Sequence, residues 1–178
     1  MSDHNLASFA DHYDLLIEDR VFLPPAGEHI EDSLKCSSLT RSTFRRCVSF
    51  GGLENALDCN RLCRDLRFES CSFFNGEQAA IVIKGGCERI TFTGCLLCRT
   101  EKSWCDVLLD DWSDQSRQPS REIDLRGLHR TDGAKVRIVV GRGWGRILPS
   151  YDPAHAEILF VKSVGVHLYN LVKGLCCR

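Results

Sequence analysis

Leu66-Arg67-Phe68-Glu69-Ser70-Cys71-Ser72-Phe73-Phe74 is answered 24 residues later by Ile90-Thr91-Phe92-Thr93-Gly94-Cys95-Leu96-Leu97-Cys98. Phe44 and Cys47 stand another 24 residues before Phe68 and Cys71, so two columns, Phe44/Phe68/Phe92 and Cys47/Cys71/Cys95, run through three copies. The same register aligns Leu39, Cys63 and Cys87; Phe50, Phe74 and Cys98; Leu57 and Ile81; Cys59 and Ile83; Leu66 and Ile90; Gly52 and Gly76. Repetition at this period marks a solenoid, because one unit cannot bury its apolar face alone and stacked units can.

Within one copy, Ala80-Ile81-Val82-Ile83 reads as a short strand, Gly85-Gly86 as a turn and Ile90-Thr91-Phe92 as a second strand with alternating faces. Thr93-Gly94 bends the chain into a third strand, with Cys95 and Leu97 pointing inward, before the polar Arg99-Thr100-Glu101-Lys102. Three short strands per coil place equivalent side chains of successive turns about 4.8 Å apart in parallel sheets.

These paired segments resemble the right-handed parallel β-helix family, the pectate-lyase-like and phage-tailspike-like solenoids. The resemblance implies an all-β, right-handed parallel β-helix solenoid of about six turns, running from about residue 30 to about residue 172. Looser copies extend it. Ile123-Asp-Leu-Arg-Gly-Leu128 and Ile158-Leu-Phe160 match the second strand, while Val107-Leu-Leu109, Ile138-Val-Val140 and Leu168-Tyr-Asn-Leu171 match the first.

The 178 residues are 43% hydrophobic and 26% charged, with a formal net charge of -1, which fits one globular unit or two very small ones. The longest apolar run, Ala79 to Ile83, is far too short to span a bilayer, and Met1-Ser2-Asp3-His4 opens without the features of a secretory signal. The expected location is the cytoplasm, or a virion after assembly there. Near-neutral charge gives no electrostatic case for nucleic acid or membrane as partner.

Eleven cysteines, an odd count without a signal, argue against a disulfide-stapled secreted domain. Buried thiol ladders explain the spacing better than metal does. Cys95-x-x-Cys98 and Cys59-x-x-x-Cys63 resemble zinc ligands, but strand alternation aims the members of each pair differently, and no second pair completes the pattern. Disulfides between adjacent turns have a suitable separation but poor torsion geometry. No metal and no cofactor are expected, and Cys176-Cys177 does not form a prenylation box.

A solenoid must cover its ends. Leu6, Phe9, Ala10, Tyr13, Leu16 and Ile17 follow helical spacing, which predicts an N-terminal amphipathic capping helix and linker over residues 1–26, ahead of a β-helix domain over 27–178. Val164 to Leu175 still reads as strand, so a partner or the last residues must cover the other end.

Two insertions, 110–121 and 141–156, break the period directly after first strands and are predicted to leave one flank side by side. They carry the candidate binding residues Asp110, Asp111, Trp112, Asp114, Arg142, Trp144, Tyr151 and His155, which suit a protein hot spot or sugar stacking; the alternative is that the aromatics fold down as satellite cores. Charge is uneven: residues 1–32 hold eight acidic side chains and one basic, and 117–146 hold three acidic and eight basic. The sequence lacks the Gly-His-Gly segment of family hydrolases and has only Arg137-Ile138-Val139 where they show Arg-Ile-Lys. The favoured function is therefore a non-enzymatic structural or assembly protein, similar to small β-helical components of phage or viral particles, with a protein partner or homo-oligomer. A carbohydrate-binding or polysaccharide-degrading role is the alternative.

Overall fold

The computed structural model describes residues 5–26, 28–74, 77–98, 103, 105–110, 118–141 and 148–160. The first turn supplies β1 (Ala7–Ala10), β2 (Leu16–Glu18) and β3 (Val21–Phe22), and the second β4 (Asp32–Ser37), β5 (Thr43–Arg45) and β6 (Val48–Phe50). The third supplies β7 (Asn55–Asn60), β8 (Arg64–Glu69) and β9 (Ser72–Phe74), and the fourth β10 (Ala79–Ile83), β11 (Glu88–Thr93) and β12 (Cys95–Cys98). In the fifth come β13 (Val107–Leu109), β14 (Arg121–Asp124) and β15 (Leu128–Arg130), followed by β16 (Val136–Val140) and β17 (Ala156–Phe160). Every pairing is parallel, and the strands sort into three sheets, ordered β1-β4-β7-β10-β13-β16-β17, β14-β11-β8-β5-β2 and β15-β12-β9-β6-β3. The chain is an all-β parallel solenoid of about six turns.

The core consists of the columns that the repeat aligned. Phe44, Phe68 and Phe92 stack with ring centroids 5.1 and 5.0 Å apart and planes within 13°. Leu57 lies opposite Ile81, Cys59 opposite Ile83 and Leu66 opposite Ile90. On the outside of the third sheet Phe50 stacks on Phe74 at 4.6 Å.

The N-terminal helix is a correction: these residues form the first turn of the coil. Ala7, Phe9, Leu15 and Ile17 pack against the core, which is period-two alternation, whereas Tyr13 and Leu16, assigned to the apolar face of the helix, are 63% and 57% exposed. Positive φ at Asp11, Asp14 and Asp19 bends the chain at the corners. A second correction concerns Ile158-Leu159-Phe160, which belong to β17 in the first sheet, opposite Ile138-Val139-Val140, and not to the second. Leu168 to Leu171 lie outside the described residues.

Left-handed backbone bends the links from the first sheet to the second and from the second to the third. Asp14, Arg41, Asp65, Arg89 and Glu122 enter the second sheet with φ of 49–57°. Asp19, Arg46, Ser70 and Gly94 leave it (52–59°), and Asp11, Ser38, Arg61 and Gly85 leave the first sheet. A non-glycine residue there carries roughly 1–2 kcal/mol of steric cost, which pairing on both sides of each turn offsets. Gly127 has a different reason: a Cβ there would collide with the Phe92 carbonyl.

Candidate functional site

The roots of the two insertions are adjacent, since Leu109 lies opposite Val140 and the Gly141 N–H donates to the Leu109 carbonyl at 2.8 Å. Asp110 sits at that strand end and is buried. His155 lies at the other end of the same sheet, where its carbonyl accepts from the Val136 N–H at 2.8 Å. The strand length between them, about 15 Å, separates the two residues. Tyr151 is half-buried and packs on the core. The exposed His155 meets His129 edge to face, with ring centroids 5.4 Å apart. Asp111, Trp112, Asp114, Arg142 and Trp144 lie outside the described residues.

A single row crosses the outer face of the first sheet: Ser8, Lys35, Asp58, Val82, Leu108, Val139 and Leu159. Val82, Leu108 and Val139 of this row, with Ala79 and Cys105, form a second buried cluster, while Leu159 is exposed. The row's polar half centres on Asp58, which has no exposure, accepts from Asn60 Nδ2 at 3.0 Å and pairs with Lys84 at 3.2 Å and Lys35 at 4.0 Å. Asp32, beside it, accepts from Asn55 Nδ2 at 2.8 Å. Burial, then the Asp58 charge, raises the Asp32 carboxyl to about 7. Burial opposes the Lys84 ammonium, yet Asp58 and Asp32 outweigh it and hold its pKa above the ordinary lysine value. With Asp58 at 0% and Asp32 at 2% exposure, neither carboxylate offers a substrate a path.

The exposed charges are joined from turn to turn. Arg41 grips Asp14 with two bonds of 2.8 Å, Arg46 grips Asp19 at 2.7 and 2.8 Å, and Arg89 grips Asp65 at 2.6 and 3.1 Å. These guanidinium bonds hold Asp14, Asp19 and Asp65 below the usual carboxylate range. The fully buried Asp106 accepts from the Arg137 N–H at 2.8 Å and from Arg130 at 3.3 Å.

Nine described cysteines are free thiols, and all but Cys98 are buried. Cys47, Cys71 and Cys95 donate to carbonyls of the preceding turn, those of Ile17, Phe44 and Phe68, at 3.3–3.5 Å. A hydrogen bond donated to Cys36, then burial, pushes the Cys59 thiol well up, and burial does the same to Cys87. Thiols held this way are poor nucleophiles. Among the described residues no three His, Cys, Asp or Glu side chains converge as metal ligands.

The feature that sequence reasoning missed is the N-terminal end. β1, β2 and β3 are the end strands of the three sheets, and Phe9, Leu16, Ile17, Glu18, Arg20 and Phe22 line a cavity of about 470 Å³ there. In the same turn Tyr13, Leu16, Val21 and Leu23 are 57–63% exposed. The acidic bias and the surplus apolar residues were the visible signal, but helical spacing accounted for both. No protein-family model, curated protein or solved structure matches the chain.

Proposed function

We propose that the chain is a non-enzymatic structural component that docks into a larger assembly, in the manner of small β-helical parts of phage or viral particles. Right-handed coiling, as parallel crossovers favour, and kinship with the pectate-lyase-like and tailspike-like solenoids are parts of this proposal. The observation that carries it is the first turn, whose strands end all three sheets among the described residues, with a cavity lined by Phe9, Leu16, Ile17, Phe22 and two charged residues, and four exposed large hydrophobic side chains. Solenoids cover such ends with a cap or a partner. The ion pairs support the same reading, because buried Asp58, Asp32 and Asp106 are withdrawn from solvent and the paired surface carboxylates bind turns together. The insertions 110–121 and 141–156 are the second contact surface in this reading.

The test is sedimentation of the chain from a lysate of its source. An assembly component travels with a large particle, and Leu16→Asp or Trp144→Ala releases it without lowering its thermal melt. A free monomer that cleaves or binds polysaccharide would overturn the proposal.

A further inference from the structure

The charge pattern of the first turn names the chemistry of what docks there, a deepening that rests on the assembly reading. In one corner column acid and base alternate along the coil: Asp14, Arg41, Asp65, Arg89, Glu122. Glu18, Arg45 and Glu69 alternate beside it, with Arg45 bonded to Glu18 at 3.1 Å and to Glu69 at 2.8 Å. In the neighbouring row a carboxylate takes arginines from both sides: Glu88 pairs with Arg64 of the preceding turn at 3.5 Å and with Arg121 of the following turn at 2.8 Å. In the first turn the columns end on Asp14, Glu18 and Asp19, each bound to an arginine of the second turn and at 34–64% side-chain exposure. Glu18 also lines the cavity, with Phe9, Ile17 and Phe22.

We propose that this end receives an extended segment of a different protein, one that lays basic side chains over Asp14, Glu18 and Asp19 and inserts an apolar side chain into the cavity. The segment adds a strand to β2 and β3, the end strands of their sheets among the described residues, where main-chain bonds supply affinity and the side chains supply register. A second copy set first turn against first turn does not fit the pattern, because it brings Asp14, Glu18 and Asp19 of the two copies together, carboxylates against carboxylates. Four acidic side chains, Asp11, Asp14, Glu18 and Asp19, against one basic, Arg20, in residues 5–26 also draw a basic partner toward this end.

The second turn already presents the required chemistry from below, with Arg41, Phe44, Arg45 and Arg46, so a synthetic peptide of residues 40–50 carrying Cys47→Ser is the probe. Fluorescence anisotropy against the intact chain should show binding that weakens at least ~10-fold in about 0.5 M salt. It should also weaken at least ~10-fold when the three peptide arginines become Glu, a change that leaves the protein untouched. Leu16→Asp in the protein should abolish binding while its melt stays at the wild-type value, since Leu16 is 57% exposed. Equal binding of both peptides, binding that survives Leu16→Asp, or no binding of either overturns the inference. A homodimer seen by light scattering and dissolved by Leu16→Asp also overturns it, and leaves the assembly role standing. Failure of that role is read separately, from the sedimentation experiment.

Discussion

Phe68→Ala tests whether the stack of rings holds the coil together. Phe68 has no solvent exposure and lies between Phe44 and Phe92 at 5.1 and 5.0 Å, with Phe73 edge-on at 5.9 Å. Removing the ring forfeits about 1.5–3 kcal/mol of burial. Two stacked contacts add about 0.5–1.5 kcal/mol each. The hole sits between occupied turns pinned by ladder bonds, so it cannot close, and the expected loss is about 3–5 kcal/mol. Phe74→Ala is the matched control: Phe74 is half-buried on the outer face with a single stacked neighbour, Phe50, and its loss should cost about 1–2 kcal/mol. Urea unfolding followed by far-ultraviolet circular dichroism reads both. With a slope of about 2 kcal/mol per molar, the Phe68→Ala midpoint should fall by roughly 1.5–2.5 M. A Phe68→Ala chain no less stable than Phe74→Ala would refute the reasoning, because the inner column would then contribute no more than the outer one.

Asp32 should make the fold weaken as pH rises. Its carboxyl titrates at about 7 when folded against 3.8 as its ordinary value, so between these pH values the folded state keeps a proton that the unfolded chain releases. Stability is therefore lost from about pH 4 to 7, and Asp32→Asn should match wild type at pH 4 yet exceed it at pH 8 by an amount on the order of 2–4 kcal/mol. Urea midpoints across pH check this, and a wild-type advantage at pH 8 would contradict it. Gly94→Ala should cost only about 1 kcal/mol, because its φ of 59° is strained for alanine while a Cβ meets nothing closer than Ser70 Oγ at 3.9 Å. Gly127→Ala, which drives a Cβ into the Phe92 carbonyl, should lower the melting temperature several-fold further. Thiol titration should find close to eleven reactive groups in denaturant; among the nine described, only the half-buried Cys98 should react promptly in the native protein.

The middle of the fold was legible because its repeats keep step. Phe44 to Phe68 and Leu66 to Ile90 are both 24 residues, and the sheets hold them opposite each other. The first turn was hidden by an offset of 27, as between Ile17 and Phe44, since extra residues lie in the link between the first and second turns. Leu34 and Leu57 are only 23 apart because Leu62, the second of two left-handed residues, is added after β7; Gly85-Gly86 repeats that pair one turn later. Six apolar residues at mixed spacings of one, three and four fit a helix as well as a strand–corner–strand, and only pairing to the next turn decides between them. Of the candidate site, the shared root of the insertions was readable from their position after equivalent strands. The burial of Asp110 and its distance from His155 were not, because they depend on which end of the strand each insertion leaves and rejoins.

The corner columns also govern how the molecule yields to force. Each turn touches only its neighbours, and its left-handed bends persist only while a turn beside it holds them. Tension on the N-terminus would load the terminal bonds of the first turn, and once these part the second becomes the new end with the same geometry. Extension would then advance in discrete lengths, one coil of 24 residues releasing roughly 80 Å of chain. The third and fourth turns, where strands reach six residues and the rings stack face to face, should mark the highest force along the way.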